Sequence, residues 1–517
     1  MTITLYTKME TKTKIKIKKT KFLSPLGYAL IKKYYSEDEL QSLRDDLMIT
    51  PYVSSDFGVK PSPIPAYQES TDRLYIPEAF GIKKYGLPKK DKTFDGDIID
   101  IEFNGELRSS QIEPVSECIK AIRDEKRRGG LLCLPCSAGK TVQGLYIIST
   151  IARKTLIVVH TEFLANQWKE RISQFLPAAK VGMIQGKKVE IEGNDIVIGT
   201  LQSLSMKDYD RKIFSVFGLI IYDECHLVPC RVFSRVLKRI NCRRHIGLSA
   251  TPKRSDGMSK MFQMYIGDII YMRKDKVGGD KIHIKRYIYE CDDEKYCKEI
   301  SNFRGKPMIS TMMNNICYYE SRTTVVSKLT IELLDEDIKQ RKILVLSNRR
   351  KQLEDMERVI GELRPEIHMA YYVGGMKQSE LKKSEDAQII FGTFSMASTG
   401  LDIPGLNGEI LASPKSNIIQ SIGRIIRKKH KHIKPVVIDI VDNFSSFSNQ
   451  AKKRLKHYRS KKYDITTQHI TEYGEYIGEP NLENENTRAL EKKARRNKRA
   501  KKKHTGIKGG DNCLFFT

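Results

Sequence analysis

Three residues in the stretch "LLCLPCSAGKTVQG" (131–144) have the types and order needed to hold a nucleoside triphosphate. Gly139, Lys140 and Thr141 match the end of the phosphate-loop pattern G-x-x-x-x-G-K-[ST], in which the lysine reaches the β- and γ-phosphates and the hydroxyl ligates Mg²⁺. Leu134 replaces the first glycine of this pattern, so a chance Gly-Lys-Thr is the alternative. The context favours a genuine site, because an apolar strand pattern precedes the loop and a helical pattern follows it.

The other residues of this loop suit a close approach of phosphate. Pro135 fixes the backbone dihedral φ at the turn, which can replace the effect of the missing glycine. Cys136 follows, and Ser137 and Ala138 are small enough not to block the ligand. The helix that begins next supplies amide donors and the positive end of its dipole. We therefore predict that residues 135–141 bind the nucleotide and that Thr141 ligates Mg²⁺.

Two adjacent carboxylates, Asp223 and Glu224, end the apolar run "GLIIYDE" (218–224). Burying two acids at a strand end costs free energy unless a cation is close. A solvated Asp-Glu turn is the ordinary alternative, but here a phosphate loop precedes the pair on another predicted strand. We predict that Asp223 holds Mg²⁺ and that Glu224 polarises the attacking water.

The elements that position these groups follow from the apolar patterning after about residue 105. Short runs rich in valine and isoleucine alternate with helical patterns, in two groups at 131–251 and 342–441. Continuous apolar strands separated by helices predict parallel sheets covered on both faces. The predicted fold class is therefore α/β, with two parallel-sheet domains at 105–270 and 316–460 and a connector or small insertion at 271–315.

An N-terminal accessory domain is predicted for residues 1–104. It contains "SEDELQSLRDDLM", in which Ser36 and Glu39 have the spacing of a capping box that begins a helix. It also contains "TKTKIKIKKTK" (11–21), whose alternation fits either an exposed strand or a solvated basic arm.

A basic, partly disordered tail is predicted for residues 461–517. Ten of the sixteen residues at 488–503 are Lys or Arg, and such a block repels itself. It suits a nucleic-acid tail, a nuclear signal or a device that improves solubility.

The overall composition limits the classes of partner. The 517 residues include 91 Lys and Arg against 63 Asp and Glu, a formal charge of +28 at pH 7. Such an excess points first to nucleic acid, with an acidic membrane surface or simple solubility as alternatives. No apolar run approaches the roughly 20 residues that span a bilayer, and the first residues do not predict a secretory signal.

The ten cysteines predict reduced thiols in an intracellular compartment. Cys133 and Cys136 have C-x-x-C spacing, but no second pair follows that would complete a zinc site. We interpret both as packing residues.

Six stretches, taken in chain order, resemble the motifs of superfamily 2 helicases and translocases. They are "LRSSQ" (107–111), "LPCSAGKT" (134–141), "DECH" (223–226), "SATP" (249–252), "FGTFSMASTGLDIPGLN" (391–407) and "QSIGRIIRK" (420–428). The resemblance covers about 105 to 445 and is specific, because the motifs occur in the family's order. The chain is most similar to XPB-like helicases and to helicases of large DNA viruses of the poxvirus transcript-release and asfivirus types. Residues 66–88 resemble a region that such viral helicases carry ahead of the phosphate loop, with an unrelated platform domain as the alternative.

This resemblance implies two tandem RecA-like domains that use ATP and Mg²⁺ and close around the nucleotide. It places adenine recognition at Arg108 and Gln111, and contacts on the ribose side at Gly400 and Asp402. A second set of residues would serve hydrolysis. Arginine fingers are implied at Arg424 and Arg427, with a basic helix face as the alternative, and residues that couple hydrolysis to strand contact at His226, Ser249, Thr251 and Gln420.

The nucleic-acid track is expected to consist of polar groups at strand ends that contact the phosphate backbone. The candidates are Thr161, Thr200, Gln202, Asn348, Arg349 and Thr393. Strand-end Ser and Thr are also common helix caps, which is the alternative for each.

The implied function is ATP-dependent movement along DNA or RNA with 3′→5′ polarity, by a monomer that needs no membrane, in viral transcription, repair or replication. The transcription machinery is a further expected partner. A basic clamp that makes little use of ATP is the alternative, which the intact Lys140, Asp223, Glu224 and Arg427 disfavour. DNA and RNA stay open, as do strand separation and bare translocation. The expected location is intracellular: for a viral protein the host cytoplasm and the virion, or the nucleus through the basic tail.

Overall fold

The computed structural model describes residues 21–51, 62–135, 138–225, 234–250, 257–273, 282–399, 403, 405–425 and 433–484, except the side chains of Ser398, Thr399 and Gln420. These residues form two compact units that divide between Lys274 and Asp275. Each unit contains an eight-stranded, mainly parallel sheet, which confirms the predicted α/β fold class.

A small, mainly antiparallel sheet opens the first unit, with one parallel pair between its first and last strands. Its elements are β1 (Lys21–Ser24), β2 (Gly27–Ile31), α1 (Glu37–Asp46), β3 (Met48–Ile49), β4 (Ile64–Pro65), β5 (Gln68–Glu69), β6 (Arg73–Ile76), α2 (Glu78–Tyr85) and β7 (Lys90–Asp91). The strand order is β5-β6-β2-β1-β7, and β3 pairs with β4 separately. The predicted capping box begins α1: Glu39 N donates to Ser36 Oγ at 3.2 Å and Ser36 N donates to Glu39 Oε2 at 2.9 Å. Residues 11–20 of the lysine-rich stretch lie outside the described residues.

This small sheet shares a hydrophobic core with the α/β part of the same unit. Tyr28 and Leu74 lie in one continuous buried cluster with Leu131 and Tyr222. The buried Arg128 adds polar links, donating to Glu78 Oε1 at 3.1 Å and to Asp91 Oδ2 at 2.6 Å. The boundary predicted near residue 104 therefore marks a change of sheet inside one compact body.

The α/β part of the first unit contains most of the predicted nucleotide site. Its elements are α3 (Ser109–Arg123), β8 (Gly129–Cys133), α4 (Lys140–Ile151), β9 (Thr155–Val159), α5 (Glu162–Phe175), β10 (Val181–Gln185), β11 (Lys188–Val189), β12 (Ile196–Thr200), α6 (Leu201–Met206), β13 (Leu219–Tyr222), α7 (Ser234–Arg239), β14 (His245–Ser249), α8 (Ser259–Ile266) and β15 (Ile269–Met272). The strand order is β11-β10-β12-β9-β13-β14-β8-β15, and only the β10–β11 pair is antiparallel among these strands. The carboxyl ends of β9, β13, β14 and β8 consequently meet at one edge of the sheet.

The second unit repeats this plan. Its elements are β16 (His283–Glu290), α9 (Glu294–Cys297), α10 (Ile309–Tyr318), α11 (Glu320–Asp335), β17 (Ile343–Ser347), α12 (Arg350–Leu363), β18 (Met369–Tyr372), α13 (Gln378–Ser384), β19 (Ile389–Thr393), α14 (Phe394–Thr399), β20 (Gly408–Leu411), α15 (Ile419–Ile425), β21 (Val436–Asp442), α16 (Ser445–Ser460), β22 (Asp464–Thr471) and β23 (Tyr476–Glu483). The strand order is β18-β19-β17-β20-β21-β16-β22-β23, with an antiparallel β22–β23 hairpin at the edge.

Two segments differ from the sequence-based expectation. Much of the expected connector belongs to the second unit, where β16 pairs in parallel with both β21 and β22. The first residues of the expected tail form β22 and β23, and residues 485–517 lie outside the described residues. The sequence analysis did not predict these two strands because their patterns are polar. β16 mixes buried and half-buried positions, and β23 is almost wholly exposed. Neither strand has the continuous apolar run of a central strand.

Within the part of the chain that the structure describes, no helix is long and apolar enough to cross a membrane.

Candidate nucleotide-binding site

The phosphate loop follows β8 and turns into α4 through a left-handed glycine. Gly139 has φ of 71°, and a Cβ atom there would lie 2.6 Å from Gln111 Nε2 and 2.7 Å from Arg108 Nη2. The left-handed backbone angle favours glycine at this position, and any side chain there would also displace the ends of Gln111 and Arg108. Cys136 and Ser137 lie outside the described residues, and Pro135 is half-buried at the start of the loop.

Two buried glutamine side chains donate hydrogen bonds to the same backbone carbonyl of the phosphate loop. Gln111, from α3, donates through Nε2 to the Ala138 carbonyl at 3.2 Å, and Gln143, from α4, donates to the same oxygen at 2.9 Å. Gln111 Oε1 in turn accepts from the Arg108 amide at 3.0 Å. The motif predicted to recognise adenine is thus bonded directly to the phosphate loop.

Lys140 and Glu224 form the central ion pair of the site. Lys140 Nζ lies 3.1 Å from Glu224 Oε1, and both side chains are largely buried. Glu224 has a left-handed φ of 45°, which costs free energy for a residue other than glycine. Such strain is typical of side chains whose orientation matters more than local stability. The structure thus places the predicted water-orienting carboxylate directly beside the predicted phosphate-binding lysine.

Asp223 is buried next to this pair and has an aromatic partner. The Trp168 indole nitrogen donates to Asp223 Oδ2 at 2.8 Å, and the Glu224 amide donates to Asp223 Oδ1 at 2.9 Å. Burial is the main cause that raises the pKa of Asp223, followed by the neighbouring Glu224 carboxylate, while Lys140 and the indole oppose the shift. Carboxylate oxygens together with the hydroxyl of the half-buried Thr141 are the donors that Mg²⁺ prefers. The residues present therefore fit a magnesium-nucleotide ligand.

The end of β14 is tied to the phosphate loop through the backbone. The Leu134 amide donates to the Ser249 carbonyl at 2.9 Å, and Ser249 is buried. The coupling candidates His226 and Thr251 lie outside the described residues.

Cys133 is packed in the core at the end of β8. Burial raises the pKa of its thiol to about 11, and the described residues contain no group of three or more His, Cys, Asp or Glu side chains that could hold a metal ion. The packing interpretation is confirmed for Cys133.

The strand-end threonines of the first unit make local contacts. Thr161 Oγ1 accepts from the Leu164 amide at 3.2 Å, which makes it the N-cap of α5. Thr200 Oγ1 donates to Ser203 Oγ at 2.9 Å and is buried, whereas Gln202 is exposed. The cap alternative therefore describes Thr161, and its contact with nucleic acid stays a prediction.

In the second unit the structure brings Asn348 and Thr393 together. They line a cavity of about 330 Å³, together with Ser347, Arg350, Gly374, Phe394 and Ser395. Asn348 Nδ2 donates to Ser413 Oγ at 3.1 Å and to the Pro414 carbonyl at 2.9 Å. Arg349 turns away to α10, where Nε donates to Asn314 Oδ1 at 2.6 Å. Direct backbone contact by these residues stays a prediction.

Arg424 is buried inside the second unit. Its Nε donates to the Ala397 carbonyl at 2.8 Å, and Ser421, one turn away, is also buried. Gly400, Asp402, Arg427 and the side chain of Gln420 lie outside the described residues. The assignment of Arg424 and Arg427 as arginine fingers stays a prediction.

Sequence analysis missed Trp168 and Gln143, which donate hydrogen bonds to Asp223, the predicted magnesium ligand, and to the phosphate loop. Trp168 is the only tryptophan of the chain, and it lies in the helix that follows β9. This was the sequence feature that could have indicated a role for Trp168 in the site. No local pattern marked Gln143, because its role depends on a carbonyl that only the folded loop presents.

Fold and site together define an ATPase built from two RecA-like sheets, and comparisons with known proteins agree. Residues 104–254 match the family described as "Type III restriction enzyme, res subunit", and residues 325–429 match "Helicase conserved C-terminal domain". The chain is 35% identical over 467 residues to "Putative ATP-dependent RNA helicase L396" of Acanthamoeba polyphaga mimivirus, which covers 89% of this chain and 88% of the relative. The chain therefore belongs to the superfamily 2 helicases, which hydrolyse ATP.

Two further similarities are more distant. The chain is 25% identical over 405 residues to "DNA 3'-5' translocase XPB2" of Sulfurisphaera tokodaii, covering 70% of this chain and 88% of the relative. A solved structure, the fragment of "a putative HsdR subunit of a type I restriction enzyme" from Vibrio vulnificus, aligns with a TM-score of 0.51 at 18% identity, over 73% of this chain and 71% of that one. At this identity the structural match concerns the fold alone.

Proposed function

We propose that this protein is a motor that couples ATP hydrolysis to 3′→5′ movement along a strand of DNA or RNA. The observation that carries the proposal is the buried group of Lys140, Glu224 and Asp223 at the end of the phosphate loop. A protein that only clamps nucleic acid has no use for a buried lysine-carboxylate pair at this place, because burying such groups costs free energy.

In the proposed cycle the Lys140–Glu224 ion pair is the resting state of the site. When ATP binds, the Lys140 ammonium group leaves the Glu224 carboxylate and binds phosphate oxygens instead, because it pairs with the anion that is closest. Glu224 is then available to orient the attacking water. Asp223 and Thr141 would hold Mg²⁺, which neutralises charge on the phosphates, and Trp168 keeps Asp223 in its orientation through the 2.8 Å indole bond.

The proposed track is a phosphate backbone, and its chemistry is open between DNA and RNA. The excess of 28 positive charges supports a polyanionic partner. The mimivirus relative is described as an RNA helicase and the Sulfurisphaera relative as a 3′→5′ DNA translocase. We therefore take the 3′→5′ direction of movement from the Sulfurisphaera relative and keep both DNA and RNA as candidate strands. Transcription, repair or replication of a large DNA virus is the proposed setting, in the infected cell.

The first test measures phosphate release by the wild-type chain with and without single-stranded DNA or RNA. Strong stimulation by a strand supports the motor, whereas strand binding without turnover supports a passive clamp. Lys140→Ala and Glu224→Gln should each lower stimulated turnover by about 10²–10⁴-fold. The matched control is Glu192→Gln, which changes an exposed carboxylate of the same unit. Wild-type turnover in Lys140→Ala would exclude the proposed site.

The second test decides direction and substrate. Duplexes made as DNA, as RNA and as both hybrids receive a 3′ or a 5′ single-stranded extension, and strand release is followed with ATP. Release only from 3′ extensions supports the proposed polarity, and release only from 5′ extensions contradicts it. If stimulated turnover occurs without any release, movement without strand separation is tested by displacement of a protein bound to the strand.

A further inference from the structure

An aromatic ring stands almost fully in solvent on a tight loop of the second unit. Phe303 is 92% exposed. It lies between β16 and α10 in the sequence "SNFRGKP" (301–307). Single exposed apolar residues are common on protein surfaces, but Phe303 is more exposed than any other large apolar side chain among the described residues.

The loop is rigid because hydrogen bonds close it on both sides of the ring. The Asn302 amide donates to the Lys306 carbonyl at 2.8 Å, and the Gly305 amide donates to the Asn302 carbonyl at 2.9 Å. Asn302 Oδ1 accepts from the amides of Arg304 and Lys306 at 2.9 and 3.1 Å. Gly305 has φ of 68°, an angle that suits glycine. The backbone that carries the ring therefore has little conformational entropy left to lose on binding.

The residues beside Phe303 are cationic and polar. The Arg304 guanidinium, which is flat and positively charged, lies 5.1 Å from the centre of the Phe303 ring. It adds a second planar group beside the aromatic ring. Lys306 follows two residues later. A docking site for an apolar protein surface is normally a contiguous apolar patch. A single ring among cations is instead the combination that binds bases by stacking and phosphates by charge.

The loop is anchored to the strand end where the nucleic-acid track is predicted. It leads directly into α10, whose Ser310 and Asn314 accept hydrogen bonds from Arg349. Arg349 immediately follows Asn348, which lines the 330 Å³ cavity with Thr393. The Phe303 loop is therefore joined to this strand end through α10 and Arg349, within one unit.

We propose that Phe303, with Arg304, is a stacking platform for one base of the single strand that the motor follows. The inference rests on the proposed function, since it names how that strand is held. Stacking on an aromatic side chain does not depend on base identity, which suits a protein that moves along any sequence. The loop would add affinity without adding sequence preference.

The test uses the full chain and fluorescently labelled oligodeoxythymidylate and oligouridylate, with affinity measured directly by anisotropy. Phe303→Ala should weaken binding by about 5- to 100-fold, the effect expected for one stacked base. The salt dependence of binding should not change, because the ring carries no charge. The matched control is Leu363→Ala, an exposed apolar residue at the end of α12.

A second variant separates stacking from simple apolar contact. Phe303→Trp should bind as tightly as the wild type, and the new indole should lose fluorescence when a base stacks on it. The native Trp168 is buried and provides a constant background. Phe303→Leu, which keeps apolar bulk without a flat ring, should bind as weakly as Phe303→Ala.

Two results would overturn the platform. One is an affinity of Phe303→Ala within twofold of the wild type, and the other is an unquenched Phe303→Trp indole at saturating strand. Either result would instead point to a protein as the occupant of the ring. Because binding is measured directly, the proposed function can fail separately: a wild-type chain whose turnover no strand stimulates is not the proposed motor, whatever Phe303 does.

Discussion

Asp223 in the first unit and Asp442 in the second each lie at the carboxyl end of a buried parallel strand. Asp442 accepts from Arg322 Nε at 2.7 Å, from Arg322 Nη2 at 2.9 Å and from the Tyr296 hydroxyl at 2.6 Å. Asp223 accepts from the neutral indole of Trp168 and from the backbone. Both aspartates lie at the end of a buried strand, but their hydrogen-bond partners differ.

The difference shows what turns a buried aspartate into a structural or a catalytic group. A bidentate guanidinium satisfies both oxygens of Asp442 and balances its charge, so this carboxylate has no capacity left for a ligand. The indole orients Asp223 without neutralising it, which leaves the negative charge for a divalent cation. The second unit therefore uses its strand-end aspartate to hold the fold together, whereas Asp223 in the first unit keeps its predicted role as a magnesium ligand.

The largest expected effect comes from removing the guanidinium of the structural pair. Arg322→Ala leaves Asp442 buried without its charge partner, which should lower the free energy of unfolding by about 3–5 kcal/mol. Denaturant-induced unfolding of the full chain measures this change. Replacing both residues, as Arg322→Met with Asp442→Leu, should recover part of the loss. An unchanged unfolding midpoint in Arg322→Ala would mean that the pair is not structural.

A third buried carboxyl group, that of Glu409 on β20, should make the free energy of unfolding depend on pH. Its side-chain oxygens have no hydrogen-bond partner among the described residues. Burial raises its pKa from 4.5 to about 8, although Ser421 and Arg424 oppose the shift. Between these values the folded state keeps a proton that the unfolded state has released, so the free energy of unfolding should fall as pH rises across this window.

Glu409→Gln removes this titrating group. The stability of the variant relative to the wild type should therefore rise by about 2–4 kcal/mol between pH 5 and pH 9. Unfolding curves of both chains at several pH values measure the difference. Parallel pH profiles for the two chains would show that Glu409 does not titrate in this range.

If Asp223 has its predicted role as a magnesium ligand, loss of the Trp168 indole should change the ATPase activity. Trp168→Phe keeps an aromatic ring but removes the donor to Asp223, so ATP turnover should fall by about 10- to 100-fold at limiting Mg²⁺. Turnover measured over a range of Mg²⁺ concentrations shows whether more metal restores it. The free energy of unfolding is the control, since a large loss there would assign the ring to packing. Identical Mg²⁺ curves for both chains would remove Trp168 from the site.

The smallest expected effect concerns Thr161, the N-cap of α5. Thr161→Ala should cost about 1 kcal/mol of stability, as the loss of a cap does, and Thr161→Ser should restore it. Strand affinity should be the same in all three chains if capping is the main role. An affinity that drops in Thr161→Ala at unchanged stability would support the predicted track contact instead.

Several features of the site were predictable because they depend on neighbours in the chain. The phosphate loop is encoded by a strand pattern, Gly139, Lys140 and the helix that follows within a few residues. The capping box of α1 is encoded by two residues three positions apart. The order of the six motifs along the chain was sufficient to identify the family, because this order does not depend on how the sheets are arranged.

What the sequence determined by itself is thus local: backbone angles, apolar periodicity and the types of residue that meet a phosphate. Tertiary structure decided the partners of the buried carboxylates, because Trp168 is 55 residues from Asp223 and Arg322 is 120 residues from Asp442. It also decided that β16 enters the second sheet, since a half-exposed strand has no continuous apolar run and gains its place only from the strands on either side. The physical reason is that a buried charge is stabilised by whichever donor packing brings within hydrogen-bond distance, and packing is a property of the whole unit.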